Sequence, residues 1–565
     1  DHGSAQNRFI RALCTAGLFF AFVIVETGEN TSLRIFIKIL LGLNRGLAFL
    51  CVMFAARLAF GCDQLPAGQS LWIRLAAPVS TYTAKVGDPV HAVLTQDLVC
   101  GDEIVLPMGA PIEGIVRSKR KVGWGIRHET AALELVFNRA TASPGVTLAL
   151  TARVEEVDNA RELVRNGVIQ GIRSSDTFQG FINSRLIHLP TLNPYSDPFL
   201  IAYKATFPIF PEPEIYYPAG TDIRLRTTTE VSPLPTSLST VPESSPAARE
   251  ESDRLDELVG QLPWRVTTRK DVAADLINLV FLGSRQEVEA AFLEAGWHSA
   301  DHASRRTALK NMYALLNNSG YAEEPMMTFF VNGLPEDMNW QKSLNSYDHR
   351  DHLRLWQWTS ERTTDSFADD SVWISSATHD THAVLALRYK GFVHHIAPDI
   401  DDERSTVIRD LNFAGCVKSV SYVSRREMPT ATHNATGDAM FTDGSVAVVA
   451  LQDCRPGDPQ LDSNSKGGNF KAGNYAFRYI RKEILTFRND IWRANIIYGI
   501  YEAGRMTFKA LRPAPRYSDG CKSPGTSAFL QCQDPSSQIG PVAKNNLLVP
   551  TNTGELLPPK LVKLK

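Results

Sequence analysis

The chain has 565 residues, a length for roughly two or three domains. With 21% charged and 44% apolar residues it has an ordinary globular composition, which excludes a wholly disordered chain. A formal net charge of −2 excludes a global attraction to nucleic acid or anionic lipid, and no Lys/Arg block with interleaved aromatics supplies a local one.

Two apolar runs come first. Leu13–Val25 follows Arg8 and Arg11 and is short for a bilayer crossing. Gly46–Ala56 follows Arg34, Lys38 and Arg45 and leads to Ala59-Phe60-Gly61-Cys62. Basic, then apolar, then small residues is the order of a signal peptide, so residues 1–62 are expected to direct export. Arg57 argues against a retained spanning helix. Ala59 and Gly61 suit cleavage before Cys62; the same cysteine resembles a lipidation acceptor, although Phe60 fits that box poorly. The expected location is periplasmic or membrane-tethered at the cell envelope. The expected partner is an envelope component or membrane anchor, with no nucleic acid. In an oxidising compartment Cys416 with Cys454 and Cys521 with Cys532 are candidate pairs, and the cysteine spacing matches no zinc ribbon.

Residues 70–230 read as an all-β barrel or sandwich. Trp72 and Arg74 alternate with Ile73 and Leu75, and His91–Leu94, Leu133–Phe137 and Thr147–Val154 are further strands. Gly and Pro punctuate them, and Glu103–Ala110 and Glu214–Thr221 repeat one unit of strand, Pro-x-Gly turn and return strand. The first copy resembles the barrel of TrbI-type envelope proteins, which implies a docking module. The polar run Val157–Glu162 is explained by turn chemistry and an Arg–Glu pair. Residues 231–257, rich in Pro, Ser and Thr, read as a linker between two folding units.

The second unit, 262–510, reads as α+β. Leu276–Leu282 is a buried strand, Val288, Ala291, Phe292 and Ala295 mark a helix stopped by Gly296, and Arg305–Asn317 is another helix. On the His352–Trp358 strand Leu353 and Leu355 face one way, while His352, Arg354 and Trp356 face the other. That second face suits a substrate-binding wall, because arginine grips phosphate or carboxylate bidentately; a surface face with Trp stacked on Arg explains it equally. Further on, Tyr479–Tyr498 reads as an amphipathic helix and 511–565 as a flexible tail.

Ser371–Leu411 carries the densest chemistry. Val372–Ser376 and Ala383–Tyr389 are expected as strands, Lys390-Gly391 as a tight turn, Phe392–Ile396 as the return strand, and an acidic helix start follows Pro398. His379, His382, His394, His395 and Asp399 could hold a divalent metal ion. His379, His394, Asp399 and Asp401 could equally serve as catalytic acid and base groups. Helix-start carboxylates are also favoured by free backbone N–H groups without any function. Because His394 and His395 adjoin on one strand, only one of them can face a shared pocket.

The blocks Trp373…Ala377-Thr378-His379-Asp380, His394-His395-Ile396-x-Pro398-Asp399-Ile400-Asp401-x-Glu403-Arg404, Asn278–Ser284, Ala291-Phe292-x-x-Ala295-Gly296-Trp297 and Arg350-x-His352-x-Arg354-x-Trp356 resemble the LssY C-terminal domain over about residues 265–425. The resemblance implies no known reaction. In the family's namesake the domain follows DedA-type membrane segments and a phosphatidic-acid-phosphatase-type domain; neither is seen in this sequence, so no lipid phosphatase activity is implied. No G-x-S-x-G elbow, P-loop or dinucleotide fingerprint names a chemistry either. Three readings stand at this level. One is an exported envelope protein with a β docking module and a ligand-binding domain; another is a hydrolase acting on a phosphorylated or lipid-derived envelope substrate; the third is a scaffold without ligand.

Overall fold

The structure is a computed structural model that describes residues 64–100, 103–124, 127–173, 212–231, 247–358, 371–386, 391–425 and 427–454, with Ile480, Ile484 and Leu485. The apolar runs before Cys62, the pair Cys521 and Cys532, the tail and nearly all of Tyr479–Tyr498 lie outside these residues. Among the described residues no helix is long and apolar enough to cross a membrane.

Six strands close a barrel: β1 (Ser70–Leu75), β2 (Pro89–Leu94), β3 (Pro111–Arg120), β4 (Ala132–Ser143), β5 (Val146–Val157) and β6 (Asp222–Thr227). Each pairs antiparallel with its neighbours in the order β2-β1-β6-β5-β4-β3, and β3 returns to β2. Period-two patterning drives this closure: in β4, Leu133, Leu135 and Phe137 are buried while the residues between them are more open. Closure pairs each of the six strands on both sides; the short hairpin Leu163–Arg165/Val168–Gln170 extends the sheet from β4. The two Pro-x-Gly units form matching turns, with Gly109 and Gly220 at φ +82° and +90°, a backbone region that glycine adopts without strain.

The second region is built on a mixed sheet. Its main strands are β7 (Leu279–Leu282), β8 (Met338–Lys342), β9 (Arg350–Trp358), β10 (Val372–Ala386), β11 (Gly391–Ile396), β12 (Val417–Ser424) and β13 (Ser445–Leu451). The order is β8-β9-β10-β7-β13-β12, with β11 paired to β10 and only β7–β13 parallel among these contacts. Helices α1 (Ala247–Gln261), α2 (Arg285–Glu294), α3 (Arg305–Asn317) and α4 (Ile400–Phe413) complete an α+β domain.

Both faces of this sheet are buried. Leu353, Leu355 and Ala377 pack with Val288 and Phe292 of α2 and Val407 and Leu411 of α4. Trp356, Ile374 and Val280 pack on the opposite side with Leu255, Leu258 and Val259 of α1. The expected linker over 231–257 therefore ends early. Pro and Ser occupy its first half, but Leu255, Leu258 and Val259 recur at helical spacing and anchor α1 in the core.

Two further expectations change in detail. The Leu276–Leu282 strand is split into Ala273–Leu276 and β7. Asn278 sits between them, fully buried, and its amide binds Ala377 N, Ala377 O and Ile400 O. The expected strands Val372–Ser376 and Ala383–Tyr389 belong, as far as the described residues run, to one continuous strand, β10 (Val372–Ala386), with a register shift between Asp380 and His382. Residues 387–390, with the turn expected there, lie outside the described residues. Such a shift redirects side chains without ending the strand.

Barrel and α+β domain fall in one compact unit, whereas Leu65, Val99–Val105 and Val231 belong to a smaller one in which Leu65 and Val231 exchange backbone hydrogen bonds. The seam inside the larger unit is charged and largely buried. Arg74 of β1 donates to Asp222 of β6 at 2.8 and 2.9 Å and reaches Asp410 of α4 at 3.2 Å. Lys342 of β8 lies 2.6 Å from both carboxylates, and Trp297 Nε1 donates to Asp410 at 3.0 Å. Both aspartate side chains are fully buried. Burial works against each charge, but the cations hold Asp222 well below the usual carboxylate range, and the aspartates hold Arg74 and Lys342 above theirs. The two regions expected to fold as separate units thus share buried charges. Replacing Asp222 with Ala leaves two buried cations facing one carboxylate. The variant should lose about 3–5 kcal/mol in urea unfolding, and a change confined to the barrel's signal would show that the seam is not shared.

Candidate functional site

The register of β9 on β10 decides what the site can be. Arg350 lies opposite Asp380, Asp351 opposite His379, His352 opposite Thr378 and Leu353 opposite Ala377. Side chains alternate along a strand, so Asp351 and His379 share the face that α2 and α4 cover, while Arg350, His352 and Asp380 share the other.

On the helix side, His379 Nδ1 is 2.6 Å from Asp351 Oδ1. Asp351 Oδ2 accepts a 2.7 Å hydrogen bond from the Asn159 amide, which the turn after β5 delivers from the barrel. Asn159 adopts φ +53°, a left-handed conformation that asparagine tolerates. The turn is held down by Arg161, whose backbone N–H donates to Asn345 and whose guanidinium donates to Asn318 O and pairs with Glu162. Glu403, in the first turn of α4, completes the group. One oxygen each of Asp351 and Glu403 and one ring nitrogen of His379 lie within 4.8 Å of one another.

A cavity of about 120 Å³ opens beside this group, lined from the barrel by Glu155–Val157, Asn159, Ala160 and Glu162–Val164 and from the domain by His349 and His379. That is below the ~300 Å³ at which ordinary small-molecule pockets begin. The chamber therefore suits an ion or a very small polar ligand, not a lipid or peptide.

Carboxylates outnumber nearby cations here. Burial pushes Glu403 well above its ordinary range, and the adjacent Asp351 adds to this; burial and Asp351 likewise push Asp158 up to about 8. Burial works against charge on His379, but its Asp351 hydrogen bond prevails and raises it to about 9. The positive partners keep Asp351 itself low despite burial, with His379 the strongest. His349, whose ring centre is 6.1 Å from that of His379, is lowered to about 4, first by burial and then by His379.

The opposite face holds a second polar cluster. Arg350 donates to Asp380 at 2.6 Å and to Gln341 at 3.0 Å and pairs with Glu324 at 3.0 Å. His352 Nε2 is 3.0 Å from Thr378 Oγ1, and burial lowers His352 to about 3 although Asp380 opposes this. His394 sits 3.4 Å from Glu324 and 3.5 Å from Asp380. Farther along the hairpin, the rings of His382 and His395 stack with centroids 4.7 Å apart. His395 bonds Asp438, which raises its pKa; His382 is lowered, chiefly by burial.

The histidines expected as one site are thus sorted into three places. His379 joins Asp351 and Glu403, His352 and His394 share Asp380, and His382 and His395 form a separate pair. Only one member of His394–His395 faces Asp380, as strand alternation requires. Asp399 caps α4, accepting from the N–H groups of Asp401 and Asp402. Asp401 is engaged with Thr442 Oγ1, Asp443 N and Arg404. Nor is the Arg354 face an open wall. Arg354 is buried over the Phe329 ring at 4.3 Å and donates to Met327 O, while Trp356 lies in the core. Cys62 lies outside the described residues.

Sequence reasoning passed over Asp351, Glu403 and Asn159 as site residues. The first had a visible signal, since Arg350-Asp351-His352 is a charged triplet inside a strand. Glu403 looked like one more helix-start acid, and nothing local indicates that a barrel turn would deliver Asn159.

The buried neutral rings make stability fall with acid. His352 and His349 have folded pKa values of about 3 and about 4, below the ~6.5 of an unfolded histidine. Their contribution is complete above pH 6.5 and is lost as pH falls toward those values. His379 and His395, being raised, add no slope on that limb. Asp158, raised to about 8, and Glu403, also raised, act with the opposite sign over the same window, so the rings are read one by one. In histidine NMR of the folded chain, His349 and His352 should remain neutral imidazoles down to about pH 5, and titration of either near ~6.5 would mean it is not buried neutral.

Residues 259–446 match the family described as LssY C-terminus. No curated protein matches the chain. Among solved structures, the chain is similar to ComB10 of the Com Type IV secretion system of Helicobacter pylori. That match has 12% identity and a TM-score of 0.18, covering 31% of this chain and 93% of that one, too weak a likeness to carry an argument.

Proposed function

With residues 259–446 matching the LssY C-terminus family, we propose that the chain is an exported cell-envelope protein whose barrel and α+β domain act together as one ligand-binding module. The observation that carries the binding reading is the seam chamber, because neither region makes it alone: Glu155–Val164 form one wall and His349 and His379 the other. The barrel then has two roles, docking the protein at the envelope and closing the ligand site.

Binding is favoured over hydrolysis by the chamber's own side chains. Its described lining holds carboxylates and imidazoles but no serine, threonine or cysteine, so no hydroxyl or thiol nucleophile faces His379. The Asp351–His379 pair orients an imidazole, which is the part of an acid–base apparatus that is present.

The compartment reading draws on Cys416 and Cys454, which are joined in a disulfide. The bond links residues flanking the β12–β13 ladder, and Cys416 is wholly buried in the helix-side core. A structural disulfide of this kind persists in an oxidising compartment and is rare in a reducing one. Export is tested by thiol trapping in intact cells: Cys416 and Cys454 should resist alkylation until reductant and denaturant are added. Both thiols reacting under denaturant alone would remove the envelope reading. The double substitution Cys416→Ala/Cys454→Ala should cost about 2–4 kcal/mol, the usual worth of a bond closing a loop of this order.

A further inference from the structure

We propose that the buried group beside the seam chamber, reached from it through His379, is a divalent transition-metal site with Asp351, His379 and Glu403 as its protein ligands. The inference rests on the chamber being a ligand site and names the ligand. Three observations converge on it. The three donor atoms already lie within 4.8 Å of one another. In a tetrahedral site with bonds of ~2.1 Å, ligand atoms are about 3.4 Å apart, so a bound ion would draw the donors together from the separations seen. Glu403, only 3% exposed, has an oxygen, Oε1, without a hydrogen-bond partner among the described residues; an unpaired buried carboxylate oxygen is costly unless something satisfies it. The chamber reaches His379, which is 22% exposed while Asp351 and Glu403 are buried, so an ion has a route to the group.

The donor set narrows the ion. One imidazole and two carboxylates form a mixed nitrogen and oxygen set that suits Zn²⁺ or Mn²⁺ better than the all-oxygen shells preferred by Ca²⁺. Three protein ligands leave a fourth position toward the chamber, the arrangement of an exchangeable rather than a closed structural site. Asn159, bonded to Asp351 Oδ2, orients that carboxylate from outside the ligand set. The barrel turn would thereby tune the affinity of a site whose ligands all come from the other region.

The stacked His382 and His395 are the competing location. His395 is bound to Asp438 and His382 to Thr381, but His382, His395 and Asp438 do not form a ligand-spaced group among the described residues.

The test uses the full chain, stripped with chelator and titrated calorimetrically with Zn²⁺ and Mn²⁺, with Ca²⁺ as the hard-ion comparison. One equivalent of Zn²⁺ or Mn²⁺ should bind. Affinity should fall roughly 100-fold or more in Glu403→Gln and His379→Ala and stay unchanged in His395→Ala. In wild type, Co²⁺ should give visible bands of a low-coordinate nitrogen and oxygen site that disappear on adding Zn²⁺, a readout independent of whether any variant folds. Absence of a bound equivalent in wild type, undiminished binding in Glu403→Gln, or loss in His395→Ala would overturn the assignment. Thiol trapping separates the two readings: protected thiols without metal binding would leave the envelope reading and remove the ion, and metal binding with free thiols would do the reverse.

Discussion

Buried charge at the barrel–domain seam is the constraint on which the rest depends. Asp222 and Asp410 are removed from water, so Arg74 and Lys342 must stand within hydrogen-bond reach of them. A buried ion pair of this kind adds little net stability over a well-packed apolar contact, but breaking it is costly. Its effect is therefore one of registration. With β1, β6, β8 and α4 locked at one point, the turn after β5 has a single place to lie, and that places Asn159 on Asp351.

The same helix carries the constraint into the site. Glu403 and Asp410 are seven residues apart, two turns along one face of α4. Asp410 finds two cations and the Trp297 indole, and is satisfied. Glu403 meets Asp351 and His379 instead, with Asp158 adding to the negative field. One end of the face is electrically balanced and the other is short of positive charge. That asymmetry distinguishes a structural seam from a site able to take a cation.

Strand pleat explains why so many histidines in one short segment do not make one centre. Alternation on β9 and β10 sends Asp351 and His379 to the helix side and His352 and Asp380 to the other, and the register shift after Asp380 turns His382 to meet His395. His379 then pairs with Asp351, His352 and His394 share Asp380, and His382 stacks on His395. The result is three small polar systems with different proton affinities, from His352 at about 3 to His379 at about 9.

The sequence by itself determined what local periodicity and turn chemistry encode. The all-β and α+β regions, the matching Pro-x-Gly turns, the α2 and α3 helices and the acidic start of α4 follow from spacing of 2 or 3.6 residues and from Gly and Pro positions, and they are present. The Cys416–Cys454 pair was legible as one of two candidates and is formed. His379 was legible as a site residue because it stands in a histidine-rich hairpin. Its partners were not: Asp351 lies 28 residues away, and Asn159 lies 192 residues from Asp351 across the seam. Only the tertiary structure decided which carboxylates cap, which pair and which remain unsatisfied, because that depends on the through-space field of charges brought together by folding. Asp399 and Glu403 occupy the same helix start, yet one is used up on backbone N–H groups and the other points into the buried cluster.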